Sequence, residues 1–143
     1  MATIRRFEEL EVWKDARKLT TSVYRESRHG AFAQDFGLRD QIQRAAVSVM
    51  SNIAEGFASR TTGAFIQFLG YARRSTAEIQ SHLYVALDLD YISSEQFDEM
   101  YDAADNCSRQ LYGFIRYLKT RPDRSGIEEP PAGYDSNPRP PIE

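Results

Sequence analysis

The sequence contains few of the residues that common catalytic and metal sites need. It has one cysteine, Cys107, and two histidines, His29 and His82, in 143 residues. One cysteine cannot form an internal disulfide, and neither a zinc-spaced cluster nor a Ser-His-Asp set is present. A glycine-rich phosphate loop is also missing. We therefore expect no catalytic residues, no metal site and no cofactor, and predict that the protein is not an enzyme.

Long apolar runs are absent as well. No stretch approaches the roughly 18 apolar residues that are needed to span a bilayer. Arg5 and Arg6 are not followed by the apolar segment of a secretory signal. With only one cysteine, this pattern predicts a cytoplasmic protein that is not associated with a membrane.

Proline occurs only near the carboxyl end, where all six residues lie at or after Pro122. This composition predicts an extended tail at 120–143 that has no core of its own. Upstream, apolar residues recur at intervals of three and four over about 8–28, 38–57, 62–89 and 94–119, and strand-like alternation is absent. Residues 1–119 are therefore predicted to form one all-α domain, an antiparallel up-down-up-down four-helix bundle.

Local signals refine this prediction. Thr61 or Thr62 can cap the third helix, and Ser93 and Gln96 have the spacing of a capping box at the start of the fourth. The segment between the first two helices is expected to be a loop that is anchored by Phe32 and Phe36.

Two helices also carry apolar side chains away from the side that faces the core. Extra lines of this kind on a small bundle indicate subunit contacts, so we predict a homo-oligomer. The alternative is a monomer with an amphipathic surface and a few stray tyrosines. The predicted interface residues are Val47, Met50 and Ala54 on the second helix, and Tyr71, His82, Val85 and Leu89 on the third, whose line also includes Ser75 and Glu78.

Polar residues beside the second-helix core stripe allow two interpretations. Asn52 and Glu55 could form a ligand or partner site, or they could hydrogen-bond across helices, fix the helix register and cap the turn near Gly56. We favour the second interpretation. Glu78 and His82 share a helix face, but a metal site in a bundle needs further ligands, so an ion pair is the better interpretation. Cys107 lies on a buried seam and is expected to be an unreactive core thiol.

The charge distribution leaves nucleic-acid binding open. Residues 1–78 contain 12 Lys/Arg and 9 Asp/Glu, whereas residues 79–119 contain 3 and 7, within a total net charge of −3. Arginines could contact phosphates, with Tyr71 and Tyr84 as stacking surfaces, or could form a solvated face. The candidate phosphate contacts are Arg39, Arg44, Arg60, Arg73 and Arg74.

Several segments together resemble the four-helix bundle proteins called 23S rRNA intervening-sequence proteins. The most characteristic is Asn52-Ile53-Ala54-Glu55-Gly56. The others are Val12-Trp13, Arg44-Ala45-Ala46-Val47-Ser48, and the third-helix residues Phe65, Phe68-Leu69, Ala72, Ser75 and Glu78. The resemblance covers about residues 7–118. It implies a ring-like homopentamer, and it extends distantly to accessory proteins of diversity-generating retroelements, which bind a reverse transcriptase and nucleic acid.

The residues and the resemblance leave three functions open. The first is a non-enzymatic oligomeric scaffold that docks a partner, which is RNA, a ribonucleoprotein or a nucleic-acid-handling protein. The second is a purely protein-binding assembly factor. The third, which has the least support, is a metal-dependent enzyme.

Overall fold

All regular secondary structure in the described part of the chain is helical. The computed structural model describes residues 3–121, 123–131 and 134. A 3-10 turn at Phe7–Glu9 precedes α1 (Glu11–Ser27), α2 (Gly30–Gln34), α3 (Phe36–Ala58), α4 (Thr62–Asp88) and α5 (Ser94–Lys119). The all-α prediction is confirmed.

The number of helices differs from the predicted four. The segment expected to be a loop contains α2, a five-residue helix, and the described residues therefore hold five α-helices. Phe32 is 1% exposed and anchors α2 in the core, as expected. Phe36 is 58% exposed, so its predicted role as an anchor is wrong. Its ring instead lies under the guanidinium of Arg39, at 4.7 Å.

The four long helices run antiparallel to their neighbours. Along α1, Thr20 donates to Ala46 and Ser27 accepts from Gln43, so the numbering falls along α3 as it rises along α1. The same reversal relates the other neighbouring helices. The contacts that define it are Ser48–Ser75 and Gly56–Phe65 between α3 and α4, Arg73–Ser108 and Tyr84–Phe97 between α4 and α5, and Asp15–Gln110 and Glu26–Gln96 between α1 and α5.

Side-chain caps define where these helices begin. The Asp35 carboxylate accepts from Leu38 N at 3.1 Å, and Tyr91 donates to its other oxygen at 3.0 Å. Thr61 caps α4, and Ser93 and Gln96 form both bonds of the predicted capping box on α5. Each cap satisfies backbone N–H groups that the first helical turn leaves without partners.

Part of the segment expected to be an extended tail packs on the bundle. Ile127 is 2% exposed, and its carbonyl accepts from Ile4 N at 3.0 Å. The Glu129 carboxylate accepts from Glu11 N at 2.7 Å and from Val12 N at 3.0 Å, and so caps α1. The rest of the predicted tail, 122, 132–133 and 135–143, lies outside the described residues.

Arg124 forms a second cap from the same segment. It donates to the carbonyl of Phe57 at 2.7 Å and to that of Ser59, at the carboxyl end of α3. A carboxylate thus lies at one helix amino terminus and a guanidinium at another helix carboxyl terminus, the arrangement that the helix dipoles favour. The segment therefore links the two helix ends by polar contacts as well as by burial of Ile127.

Candidate docking surfaces

The predicted polar residues of α3 meet α4 through two serines. Ser75, 6% exposed, donates from its hydroxyl to the Ser48 hydroxyl at 2.9 Å. Asn52 is half-buried and donates to the Ser48 carbonyl at 2.8 Å and to its hydroxyl at 2.9 Å. The bond between the helices is therefore made by the serines, with Asn52 supporting it from within α3. The expected hydrogen bond from Asn52 to another helix is therefore not made, and Ser75, which was predicted to lie on the interface line of α4, is buried against α3 instead.

Glu55 and Gly56 are adjacent in the sequence but differ in burial and in their contacts with α4. Glu55 is exposed, and among the described residues its side chain makes no hydrogen bond to another helix, which contradicts its expected role in register. Gly56 is buried, and a Cβ there would lie 2.9 Å from Phe65 Cδ1 and 2.9 Å from Phe68 Cβ. The glycine therefore permits the close approach of α3 and α4, which no larger residue would allow without a shift.

The apolar residues predicted for subunit contacts lie on the outward sides of α3 and α4. Leu89 is 52% exposed, Val85 43% and Tyr71 37%, while His82 is half-buried between them. On α3, Val47 is 40% exposed, and Met50 and Ala54 are half-buried. We call these the α4 apolar line (Tyr71, His82, Val85, Leu89) and the α3 apolar line (Val47, Met50, Ala54).

The two lines do not merge into one apolar patch. At 100° per residue, Arg44, Ser48, Ser51 and Glu55 lie on α3 between its apolar line and the side that contacts α4. This polar strip separates the two lines on one subunit. Glu78 is exposed beside the α4 apolar line. A single chain thus presents two different apolar surfaces.

The five arginines predicted to contact phosphates do not form one cluster. Arg39 and Arg60 lie 21 positions apart near opposite ends of α3, a distance of about 30 Å along a helix. Arg73 donates to Ser108 at 3.2 Å and lies over the Tyr112 ring at 4.7 Å, toward α5. Arg74 lies over Tyr71 at 5.5 Å, and Arg44 is on the α3 polar strip. Because these residues lie on different faces and at different ends, they do not form one basic surface on a single chain; that they contact phosphates stays a prediction.

A basic surface does occur, on a helix that the charge analysis did not single out. The side of α1 that faces away from the core carries five exposed cations and, apart from Glu11, no exposed acid. The two remaining acids of α1, Asp15 and Glu26, turn toward α5 and accept from Gln110 at 2.8 Å and from Gln96 at 2.7 Å. We call this surface the α1 basic face; it consists of Lys14, Arg17, Lys18, Arg25 and Arg28.

An open cleft of about 670 Å³ lies at the carboxyl half of this face. Its walls include the half-buried ring of Tyr24 and the exposed side chains of Arg25, Arg28 and His29. Thr20 and Thr21 complete the walls, and their hydroxyls donate to backbone carbonyls of the preceding turn. The cleft therefore combines cationic groups with an aromatic ring.

Groups that could perform chemistry are dispersed. Burial raises the pKa of the Cys107 thiol to about 12, with a smaller contribution from Asp15, so the thiol stays protonated near neutral pH. Cys107 is fully buried, as a core thiol is expected to be. Within the described ranges, no three His, Cys, Asp or Glu side chains converge on a site that could hold a metal ion. In the same ranges, no helix is both long and apolar enough to cross a membrane.

Comparison with solved structures supports the bundle fold. A crystal structure of a protein of unknown function from the S23 ribosomal protein family of Bacteroides thetaiotaomicron superimposes with a TM-score of 0.68. The two chains are 20% identical, and the match covers 73% of this chain and 98% of the other. At that identity, the likeness concerns the fold alone.

Comparison with families gives a more specific result. No curated protein matches the chain. Residues 8–113 match the family described as 23S rRNA-intervening sequence protein, and this range spans α1 to most of α5. The chain therefore belongs to the 23S rRNA-intervening sequence protein family.

Proposed function

We propose that this protein is a non-enzymatic homo-oligomeric scaffold that docks RNA or an RNA-handling protein. The observation that carries the proposal is the α4 apolar line, in which Leu89, Val85 and Tyr71 expose 52%, 43% and 37% of their surfaces. Tyr71 and Leu89 lie 18 positions apart, so the line extends over about five helical turns. Burying such a line against another chain removes apolar surface from water, at roughly 25 cal/mol per Å².

The presence of two separate apolar lines favours a head-to-tail assembly. If the α4 apolar line of one subunit packs on the α3 apolar line of the next, every subunit uses both surfaces. A contact between unlike surfaces repeats around an axis and closes into a ring when the rotation allows it. A pentameric ring, which the family resemblance implies, is the assembly that we propose.

Charged substitutions on the α4 apolar line test this assembly. The double variant Val85→Asp, Leu89→Asp places two carboxylates in the proposed contact and should convert the oligomer into single chains in light scattering. The matched control is Ala77→Asp, at an exposed position on the opposite flank of α4. The proposal fails if both variants keep the wild-type mass, or if Ala77→Asp dissociates the oligomer equally.

RNA docking is supported by the family match and by the α1 basic face. The family's description refers to rRNA intervening sequences, and the α1 basic face supplies the cations that phosphate contacts need. A purely protein-binding scaffold is the alternative. It predicts capture of a protein partner and no retention of RNA at low salt.

A further inference from the structure

We propose that the α1 basic face and its cleft form the site that binds single-stranded RNA; this rests on the proposed function and identifies its docking surface. Arg17, Lys18, Arg25 and Arg28 are exposed, and none of them forms an ion pair within the described residues. Lys14 differs, because it pairs with Glu11 at 3.2 Å. Four cations are thus available on one side of one helix.

The orientation of Asp15 and Glu26 explains why Glu11 is the one exposed acid on this side of α1. Asp15 and Glu26 are held toward α5 by amide donors from Gln110, Asn106 and Gln96. Each of these bonds fixes a carboxylate on the flank of α1 rather than among the cations. An anion that approaches the α1 basic face therefore meets guanidinium and ammonium groups, and none of the residues that line the cleft is acidic.

The length of the α1 basic face favours a ligand with several phosphates in a row over a single anion. Arg17 and Arg28 are eleven positions apart, about 16 Å along the helix axis. The cleft is an open surface groove of about 670 Å³ whose lining residues all lie within residues 20–29. One nucleotide unit can enter the cleft while its neighbours contact Arg17 and Lys18.

The aromatic groups favour single-stranded over double-stranded nucleic acid. Tyr24 contributes its ring to the wall of the cleft, where an unpaired base can stack on it. Trp13 lies further along the face, with the Arg17 guanidinium 5.9 Å from its ring centre. Bases paired in a duplex do not expose their faces to such rings, whereas unpaired bases do.

The salt dependence of RNA binding gives the sharpest test. For about four phosphate contacts on a single strand, the log–log slope of affinity against salt is about −3, or about 50-fold between ~50 and ~200 mM salt. Fluorescence anisotropy with a labelled 20-nucleotide oligouridylate measures this slope. In the Arg25→Glu, Arg28→Glu variant we expect at least tenfold weaker binding and a slope of about −1.4.

A matched variant separates local contacts from overall charge. Arg109→Glu, Lys119→Glu changes the net charge equally at exposed positions of α5, away from the α1 basic face. It should keep the wild-type slope and bind within about threefold of wild type, and Arg25→Lys, Arg28→Lys should also retain most of the affinity. Equal losses in the two Glu variants, or no binding by the wild type at ~50 mM salt, would overturn the proposed site.

Two further readouts distinguish this site from the scaffold proposal. The oligomer mass of Arg25→Glu, Arg28→Glu should equal that of the wild type. A wild-type oligomer of the expected mass that binds no RNA refutes the RNA site but not the oligomeric scaffold. A poly-glutamate peptide serves as a competitor. If this peptide displaces the oligouridylate at an equal concentration of negative charges, the α1 basic face recognises acidic protein instead, and the assignment of an RNA site is wrong.

Discussion

Single residues determine how closely the helices approach one another. Gly56 allows α3 and α4 to pack at a distance that leaves no room for a methyl group beside Phe65 and Phe68. Gly70, in the interior of α4, has nothing within 4 Å of its hypothetical Cβ. The two glycines thus have opposite structural consequences, the first through packing and the second through helix propensity.

We expect Gly56→Ala to destabilise the protein by about 1–3 kcal/mol, because two aromatic side chains must move. Gly70→Ala should stabilise it by about 0.5–1 kcal/mol, because alanine favours the helix and nothing opposes its methyl group. Urea unfolding of both variants measures the difference. Equal effects of the two substitutions would contradict the close packing at Gly56.

Glu129 gives stability a defined dependence on pH. Burial raises the pKa of its carboxyl, the nearby acids Glu11 and Asp15 raise it further, and the bonds from Glu11 N and Val12 N oppose this shift. The folded state therefore keeps this proton to higher pH than the unfolded chain does. The resulting stabilisation is complete below the unfolded pKa and is lost as pH rises through the folded pKa.

Comparison of the wild type with Glu129→Gln isolates this contribution, since all other titrating groups are common to both proteins. We expect the wild type to lose stability relative to Glu129→Gln as pH rises from about 4 to 7. Urea unfolding at several pH values measures the difference. A relative gain of wild-type stability over that range would show that the folded state favours the charged carboxylate.

At the level of helices, the segment after α5 caps the amino end of α1 and the carboxyl end of α3. Arg124 donates to Phe57 O and Ser59 O at the end of α3, and its guanidinium lies 4.9 Å from the Phe65 ring centre. Arg109 offers a contrast, because its one ion pair, with Asp105 at 3.3 Å, is exposed. Fixed carbonyl partners and an aromatic neighbour make the contacts of Arg124 the stronger ones.

Arg124→Ala should therefore cost about 1–3 kcal/mol, because carbonyls at the end of α3 lose a charged donor. Arg109→Ala should cost at most about 1 kcal/mol. Thermal and urea unfolding of the two variants test the contrast. Similar small losses would mean that the last turn of α3 does not depend on the cap.

The long helices were predictable from sequence because their periodicity is strong and local. Ser93 and Gln96 form the predicted capping box. The α3 residues that the spacing of three and four selects are all buried: Leu38, Ile42, Ala45, Ala46, Val49, Ile53 and Gly56. On α1, the spacing of three and four selects Leu10, Trp13, Ala16 and Leu19 as the apolar stripe and passes over Val12. Val12 is fully buried, whereas Trp13 is half-buried and its ring packs on Phe7 at 5.1 Å. A large ring can turn toward a neighbouring element, which periodicity does not register.

Features that depend on distant contacts were not predictable. α2 is too short to show a period, and the burial of Ile127 depends on its meeting Ile4, 123 positions away. The spacing of its cations could have predicted the α1 basic face. It could not have predicted the orientation of Asp15 and Glu26, because that orientation depends on side-chain amides of α5. The five candidate arginines lie apart because proximity in the sequence does not fix position along or around a helix.

Over the whole molecule, the basic side chains of α1 and the apolar line of α4 lie on different faces. The α1 basic face is diagonal to α4, since both helices contact α3 and α5. A scaffold that assembles through α4 can therefore leave α1 exposed, and each added subunit repeats the basic face. Such repetition strengthens weak anion contacts by raising their effective concentration.

The mass of the wild-type protein in dilute solution tests self-assembly most directly. Multi-angle light scattering at micromolar concentration should give about five times the 16.4 kDa chain mass. A stable dimer would keep an interface but exclude the ring. A mass of one chain, with the far-ultraviolet spectrum of a folded helical protein, would contradict the oligomeric scaffold.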